Sequence, residues 1–566
     1  MANKAEPYGT FDYIVIGAGS AGSVLAARLG EDGSRVLVLE AGGHYRDPLY
    51  TLPLLAGRLF EMRRNNWFYK SVPQKHLNDR VLFLPRGKMV GGSFIFNGTQ
   101  YVRGHRSDFD HWRQLGNEGW SFADVLPYFK RSEDWYGGET PLHGNKGQLA
   151  VRKPPSISPV TQACLDACAE AGHPPNDDFN GEGQDGFGIY DFNIKDGRRC
   201  TTAVAFLYPA MKRGNIAVAT GAFTRRIVIE DGAATGVEFE QGGQVRQARA
   251  AREVVLCAGA INSPQILMLS GLGDSGHLAQ KGIPVVRHLP GVGRNMQDHL
   301  YVLIGYECLK PVSLIHALRL DRLAAGMLSA YFRGIGPIAR SPLEAGGFFR
   351  ARDGLEAPDI QANFVPIMSL KARIWMPWEK SADDTFAGYI WQNRPESRGS
   401  IMLDTAHHRD MPLIDPNYLS AEMDRITTRA GLKEMRRIIS QPALAAFRGE
   451  ELPPSRGCET DDEIDAFIRE NAGTSHHSSG TARMGRDETA VVDPALRVRG
   501  VARLRVADAS VMPSVVTGNT NAATIMIAEK AADLIRGRSL PSAEIAPAPT
   551  VEAHGAFKYA GAEGAA

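Results

Sequence analysis

Gly17-Ala18-Gly19-Ser20-Ala21-Gly22 with Glu40 downstream, and the histidine pairs His407-His408 and His476-His477, are the residues of this chain whose types and spacing suit chemistry. In the glycine run the first glycine permits a tight turn, the second lets backbone approach a pyrophosphate, and the third lets a helix lie against a strand. Glu40 follows Gly17 by 23 residues. A carboxylate there accepts hydrogen bonds from a ribose hydroxyl pair and disfavours a 2′-phosphate, so NADP is not expected, whereas NAD and FAD share the ADP half and stand equal. Histidine titrates near pH ~6.5 and can serve as a neutral base without large tuning. Neighbours in extended chain point to opposite faces, so only one of His476 and His477 is expected to meet a reacting group. His407-His408 reads as a surface loop pair. Metal is not expected, because no His/Cys/carboxylate cluster has zinc spacing and none of the six cysteines forms a CxxC pair.

Such residues need a scaffold, and the sequence supplies one at its start. Asp12 to Gly17 is a β-branched run ending in glycine, Val24 to Leu29 reads as a helix, and Arg35 to Leu39 as a second buried strand. Further short apolar strands are expected at 216–219, 226–230, 234–239, 253–256 and 503–506. Their wide separation predicts one nucleotide-binding sheet assembled from discontinuous pieces, with a second domain inserted between about 300 and 485. Leu314 to Phe332, with leucines at helical spacing, reads as an amphipathic helix facing the core. The Ala-, Pro- and Gly-rich end after Leu540 is expected to be a loose arm.

The 566 residues include 64 Lys+Arg and 63 Asp+Glu, a net charge of +1, so no nucleic-acid partner is expected. At 43% hydrophobic and 22% charged residues, disordered and fibrous classes are excluded. No apolar run approaches the ~18 residues of a transmembrane segment. The first eleven residues lack a basic patch followed by an apolar stretch, and cysteines are sparse, so a cytoplasmic location is the expectation.

Longer blocks carry a family resemblance. Pro85-Arg-Gly-Lys-Met-Val-Gly-Gly-Ser93-Phe-Ile-Phe-Asn97-Gly98 resembles the first signature of the glucose-methanol-choline (GMC) flavin oxidoreductases, and Gly259-Ala-Ile-Asn-Ser-Pro264 through Gly273 is similar to the second throughout. Gly291 to His299, Ser397 to Tyr418, His477-Ser-Ser-Gly480-Thr481, and Gly518-Asn519-Thr-Asn521 through Lys530 resemble further blocks in the same order. The blocks Glu344 to Phe349 and Ala357 to Gln361 are similar to the bacterial choline and alcohol dehydrogenase branch.

The resemblance implies an α/β fold, a Rossmann-like FAD-binding domain with an interleaved α+β substrate-binding domain built on an antiparallel sheet. It places the FAD-binding domain at residues 10–160, 200–300 and 486–537, the substrate-binding domain at 161–199 and 301–485, and a flexible tail at 538–566. It implies FAD, with Gly17, Gly19, Ser20, Ala21, Gly22, Glu40 and Ala41 at the ADP half, Phe223 at the adenine, Ser93, Asn97 and Gly98 at the flavin, and Asp508, Ala509 and Thr524 near the pyrophosphate and isoalloxazine. Trp67 is either flavin contact or core packing. Flavinylated members carry a histidine before the asparagine; here Phe96 stands there, so non-covalent FAD is expected. The HxxGT pattern selects His477 as base, His476 becoming a wall or supporting group, and Asn521, 44 residues on, as the second active-site residue. The implied reaction is oxidation of a small primary alcohol, with O2 or another electron acceptor restoring the flavin. Two alternatives share the fold: a lyase or photodecarboxylase keeping FAD, and a non-catalytic flavin-binding protein.

Overall fold

A computed structural model describes residues 5–44, 48–55, 62–352, 354–368, 374–379 and 383–545. The strand expected at the start runs from Glu6, β1 (Glu6–Ile16), and is followed by α1 (Ser20–Leu29) and β2 (Val36–Glu40). Every residue of β2 is buried, as a strand covered on both faces must be. Each of its branched side chains contributes on the order of 1.5–3 kcal/mol by leaving water.

The other strands of this sheet come from far along the chain: β3 (Ile216–Thr220), β4 (Phe223–Glu230), β5 (Ala233–Gln241) and β6 (Gln244–Leu256). The order is β3-β2-β1-β6-β5-β4, with the strand Leu504–Val506 also on β6. β3, β2, β1, β6 and Leu504–Val506 pair in parallel, and β4, β5 and β6 form an antiparallel meander. The C-terminal helix Thr520–Ile535 packs on α1. There the fully buried Glu529 accepts from Arg28 at 2.9 Å and Arg131 at 2.7 Å. Glu529→Ala removes the carboxylate that both guanidiniums share, leaving Arg28 to Glu31 and Arg131 to Asp533, and is expected to lower stability by about 2 kcal/mol in denaturant titration.

A second sheet is antiparallel throughout. Its centre is β7 (Leu300–Cys308), β8 (Ala345–Phe349), β9 (Ile360–Val365) and β10 (Thr385–Gln392), in the order β7-β10-β9-β8. Arg448–Glu451 flanks β7 and Gly186–Ile189 flanks β8. This is the expected α/β class: a mostly parallel nucleotide sheet joined to an α+β unit on an antiparallel sheet.

Two expectations need correcting. Leu320–Arg333 is a helix, but only Leu323 and Ala330 are buried. Leu320 is 42% exposed, Leu328 61% and Phe332 76%, because the core touches only the stripe of Leu323, Met327 and Ala330. The start of the expected loose arm is held: Ala543 N donates to Ala123 O, and Leu540 N to Tyr128 Oη. Residues 546–566 lie outside the described residues. No helix among those described is long and apolar enough to cross a membrane.

Candidate active site

β1 delivers the chain to Gly17, whose φ of +99° suits glycine alone; a Cβ there would stand 2.5 Å from the Cys257 carbonyl oxygen. Gly22 faces inward, where a Cβ would lie 1.9 Å from the Gly17 carbonyl oxygen, so it closes α1 onto the strand. Gly19, Ser20 and Ala21 line a cavity, and α1 begins there without a side-chain cap. Uncapped N–H groups at a helix start favour an anion such as a pyrophosphate. Glu40, buried at the end of β2, accepts from Ala18 N at 3.0 Å and Gly42 N at 2.8 Å. Burial raises its pKa against those two donors.

The cavity has a volume of about 820 Å³. Its wall includes Glu40, Ala41, Phe223, Ser93, Asn97, Gly98, Asp508, Ala509 and Thr524, and also His477 and Asn521. All the cofactor-binding and catalytic residues expected from the sequence line it except Gly22, which packs behind it. Gly92, at φ +55°, makes the cradle possible: a Cβ there would lie 2.7 Å from the Cα of Gly19. A dinucleotide with a flavin fits this shape and donor set. Gly92→Ala is expected to purify with most of its flavin missing, measured as the flavin-to-protein absorbance ratio.

At the Phe223 end, Trp67 stacks on Tyr69 at 5.7 Å and meets Phe223 edge-on at 5.2 Å. His408 is not a surface loop residue: it lines the cavity, hydrogen-bonds Glu240 at 3.1 Å and packs on Phe223. The meander causes this, since Glu240 on β5 pairs with Phe223 on β4. Of the bulky residues before Asn97, Phe94 and Phe96 line the cavity and Ile95 packs into the core with Tyr50 and Met89.

The histidines define the other end. His476 adopts φ +64°, so strand alternation does not apply and both imidazoles reach the wall. His477 is held by its backbone N–H, which donates to Asp298 Oδ1 at 2.6 Å. Its Nδ1 lies 2.9 Å from Nδ1 of His299, and His299 Nε2 lies 2.9 Å from the Asn393 carbonyl oxygen. A carbonyl only accepts, so His299 carries its proton on Nε2. Burial pushes the His299 pKa down to about 4, leaving the ring neutral and its Nδ1 bare. His477 must then donate from Nδ1, which leaves a lone pair on Nε2. Burial, and after it the fields of His299, His476 and Arg86, hold the His477 pKa well below the usual histidine value.

Asn519 Nδ2 donates to His477 Nε2 at 3.3 Å, while its Oδ1 accepts from Gln361 at 3.4 Å. Asn521 lines the same cavity, with Ser20 Oγ donating to its Oδ1 at 2.7 Å and its buried Nδ2 having no partner in the protein. His299, Asp298, Asn393 and Asn519 were not singled out by sequence reasoning. Two lie in the Gly291–His299 block and one in Gly518–Lys530, but only the fold brings them to His477. Among the described residues no group of three or more His, Cys, Asp or Glu could hold a metal ion.

A dinucleotide cradle that leads to a buried neutral imidazole defines a nucleotide-dependent oxidoreductase. Family models for the GMC oxidoreductases match residues 11–301 and 395–528. The chain belongs to that family, its cofactor is FAD, and it is an oxidoreductase acting on CH–OH donors. It is 43% identical to an oxygen-dependent choline dehydrogenase of Brucella ovis, over 93% of this chain and 96% of the relative. The mitochondrial choline dehydrogenase of Homo sapiens is also 43% identical, over 94% of this chain and 91% of the relative. Among solved structures, pyridoxine 4-oxidase from Mesorbium loti is 32% identical with a TM-score of 0.84, covering 94% of this chain and all of that one. Formate oxidase is 26% identical with a TM-score of 0.87, covering 94% of this chain and 99% of that one.

Proposed function

We propose that this protein oxidises a primary alcohol to its aldehyde. The observation that carries this reading is the hydrogen-bonded series from the Asn393 carbonyl through His299 to His477, which leaves an unprotonated Nε2 at the cavity wall, accepting from the Asn519 amide at 3.3 Å. That nitrogen takes the hydroxyl proton. The unpaired Asn521 Nδ2, and the Asn519 amide beside the imidazole, are uncharged donors that stabilise negative charge developing on the substrate oxygen. FAD, when bound, supplies the hydride acceptor, and O2 or another electron acceptor restores it.

In this reading Gly17, Gly19, Ser20, Ala21, Glu40 and Ala41 hold the ADP half, with Gly22 closing the helix behind it and Phe223 at the adenine. Ser93, Asn97 and Gly98, with Asp508, Ala509 and Thr524, border the flavin. The FAD-binding unit takes residues 10–160, 200–300 and 486–537, and the substrate-binding unit 161–199 and 301–485. Phe96 offers no nucleophile before Asn97, so acid precipitation is expected to leave all flavin in the supernatant.

The test is anaerobic bleaching of the flavin by a panel of primary alcohols. Its rate should be flat above neutral pH and fall on the acid side, because the base works only when neutral and its pKa lies below the ordinary 6.5. Failure of every alcohol to bleach the flavin would reject the reading, and recovery on admitting air would identify O2 as an acceptor.

A further inference from the structure

The wall beside His477 is built by two neighbouring strands of the second sheet. Tyr301 on β7 pairs with Trp391 on β10, and Leu303 with Tyr389, so these four side chains share one face. All four line the cavity, together with Leu343 and Met368. Trp391 stands 5.9 Å from the His477 ring and Tyr301 5.6 Å from Tyr389, centroid to centroid. None of the six is charged.

The charges elsewhere in the cavity do not serve this end. Among the described residues that line it, Glu40 and Asp508 are the carboxylates. Glu40 closes the glycine turn, and Asp508 accepts from Gly259 N at 2.8 Å and Ser263 Oγ at 2.6 Å. Asp298, behind the His477 loop, is taken up by Tyr418, Thr474, Ser478 and the His477 backbone. The other fixed charges among the described residues that line the cavity are the guanidiniums of Arg80 and Arg86. Arg86 gives its hydrogen bonds to neutral oxygens, Ser478 Oγ and the Pro85 carbonyl, and lies in the field of Asp298. Burial pushes the Tyr301 phenol up and the Arg80 guanidinium pulls it back, so a cation lies near this wall as well.

We infer that the alcohol taken by this site is carried on an uncharged aromatic or branched-alkyl body, and that a quaternary-ammonium alcohol such as choline is a poor ligand. The inference rests on the alcohol-oxidising reading and narrows it. Its physical basis is desolvation. A trimethylammonium at this wall loses its water, finds no carboxylate among the described residues beside Trp391 and Tyr301 to pair with, and meets two guanidiniums of its own sign. Aromatic rings return part of that loss through their faces. They return as much surface burial to an uncharged body, which has no hydration of a charge to give up. The relatives named as choline dehydrogenases share the scaffold of this chain, and this wall is where we place the difference in substrate.

The experiment compares choline with its uncharged carbon isostere, which has tert-butyl in place of trimethylammonium and is otherwise the same shape. Each is mixed anaerobically with the oxidised holoenzyme; the immediate flavin difference spectrum yields a dissociation constant, and the later bleaching yields a hydride-transfer rate. The isostere is expected to bind about tenfold more tightly than choline, with a ratio above about threefold supporting the inference. A ratio below that, or tighter binding of choline, overturns it. The difference spectrum decides this whether or not bleaching follows, so absence of bleaching by any alcohol rejects the oxidation reading separately. Benzylic alcohols extend the comparison and should bind at least as tightly as the isostere.

Discussion

Replacing His477 by alanine will slow anaerobic reduction of the flavin by an alcohol roughly 10²- to 10⁴-fold while leaving flavin content unchanged. The residue sits at the wall with its Nε2 unprotonated and partnered only by the neutral Asn519 amide, and no other neutral base among the described residues is hydrogen-bonded into the same position. His476 lines the cavity too, but from a backbone turned to φ +64°. The variant keeps the Asp298 contact, because that bond is made by the backbone N–H at 477 and not by the ring. Loss of rate should therefore come without loss of fold. Reduction at a rate near that of the unaltered protein would remove His477 from the mechanism, and loss of flavin would mean that the substitution had disturbed the cradle instead.

His299 acts through His477 and is expected to show nearly as large an effect. In His299→Leu the Nδ1–H of His477 is buried without an acceptor, and nothing selects the tautomer with its lone pair at Nε2. An imidazole held in the wrong tautomer loses on the order of 10⁴-fold in the serine-protease triad, and about 10²- to 10³-fold is expected here because the ring stays in place. Substrate affinity should change little, since His299 faces the Asn393 carbonyl and His477. His299→Gln, whose Oε1 can accept, should recover part of the rate. A structural role alone would predict no such rescue and no change in the pH profile. Equal loss of rate in both variants with the acid limb unmoved would rule out tautomer selection.

What was legible in the sequence follows from how local the signals are. Gly17, Gly19, Gly22 and Glu40 sit in one βαβ unit, and their spacing encodes a turn, a close approach and a ribose partner without knowledge of the rest. The blocks around Ser93 and His477 were legible as blocks. Their meeting was not, because it depends on a second sheet whose strands are drawn from Gly186–Ile189 through Arg448–Glu451. His299 shows the limit. Its role needs the Asn393 carbonyl, 94 positions away, and the His477 ring, 178 positions away. His408 was misplaced for the same reason, since exposure of a histidine in a Pro-containing connector depends on what the β4–β5 meander puts against it. In Leu320–Arg333 the leucine spacing marked a helix correctly, but periodicity does not tell which stripe meets the core when both sides carry apolar residues.

The sheet that opens with β1 has a consequence for the order of events during synthesis. During synthesis β1 must wait for β6, some 240 residues later, before it has its second neighbour, and β6 waits for Leu504–Val506 before its own parallel edge is covered. α1 waits longest, since the helix that packs on it, with the carboxylate that receives Arg28, lies 501 positions downstream. A nascent chain can thus build the β4–β5 hairpin as a local unit, but its nucleotide cradle stays open until Leu504–Val506 and Thr520–Ile535 have been made. Flavin capture is then a late step that closes contacts between α1 and Thr520–Ile535, and chains halted before residue 504 would leave Val254–Leu256 of β6 as a bare edge to their neighbours.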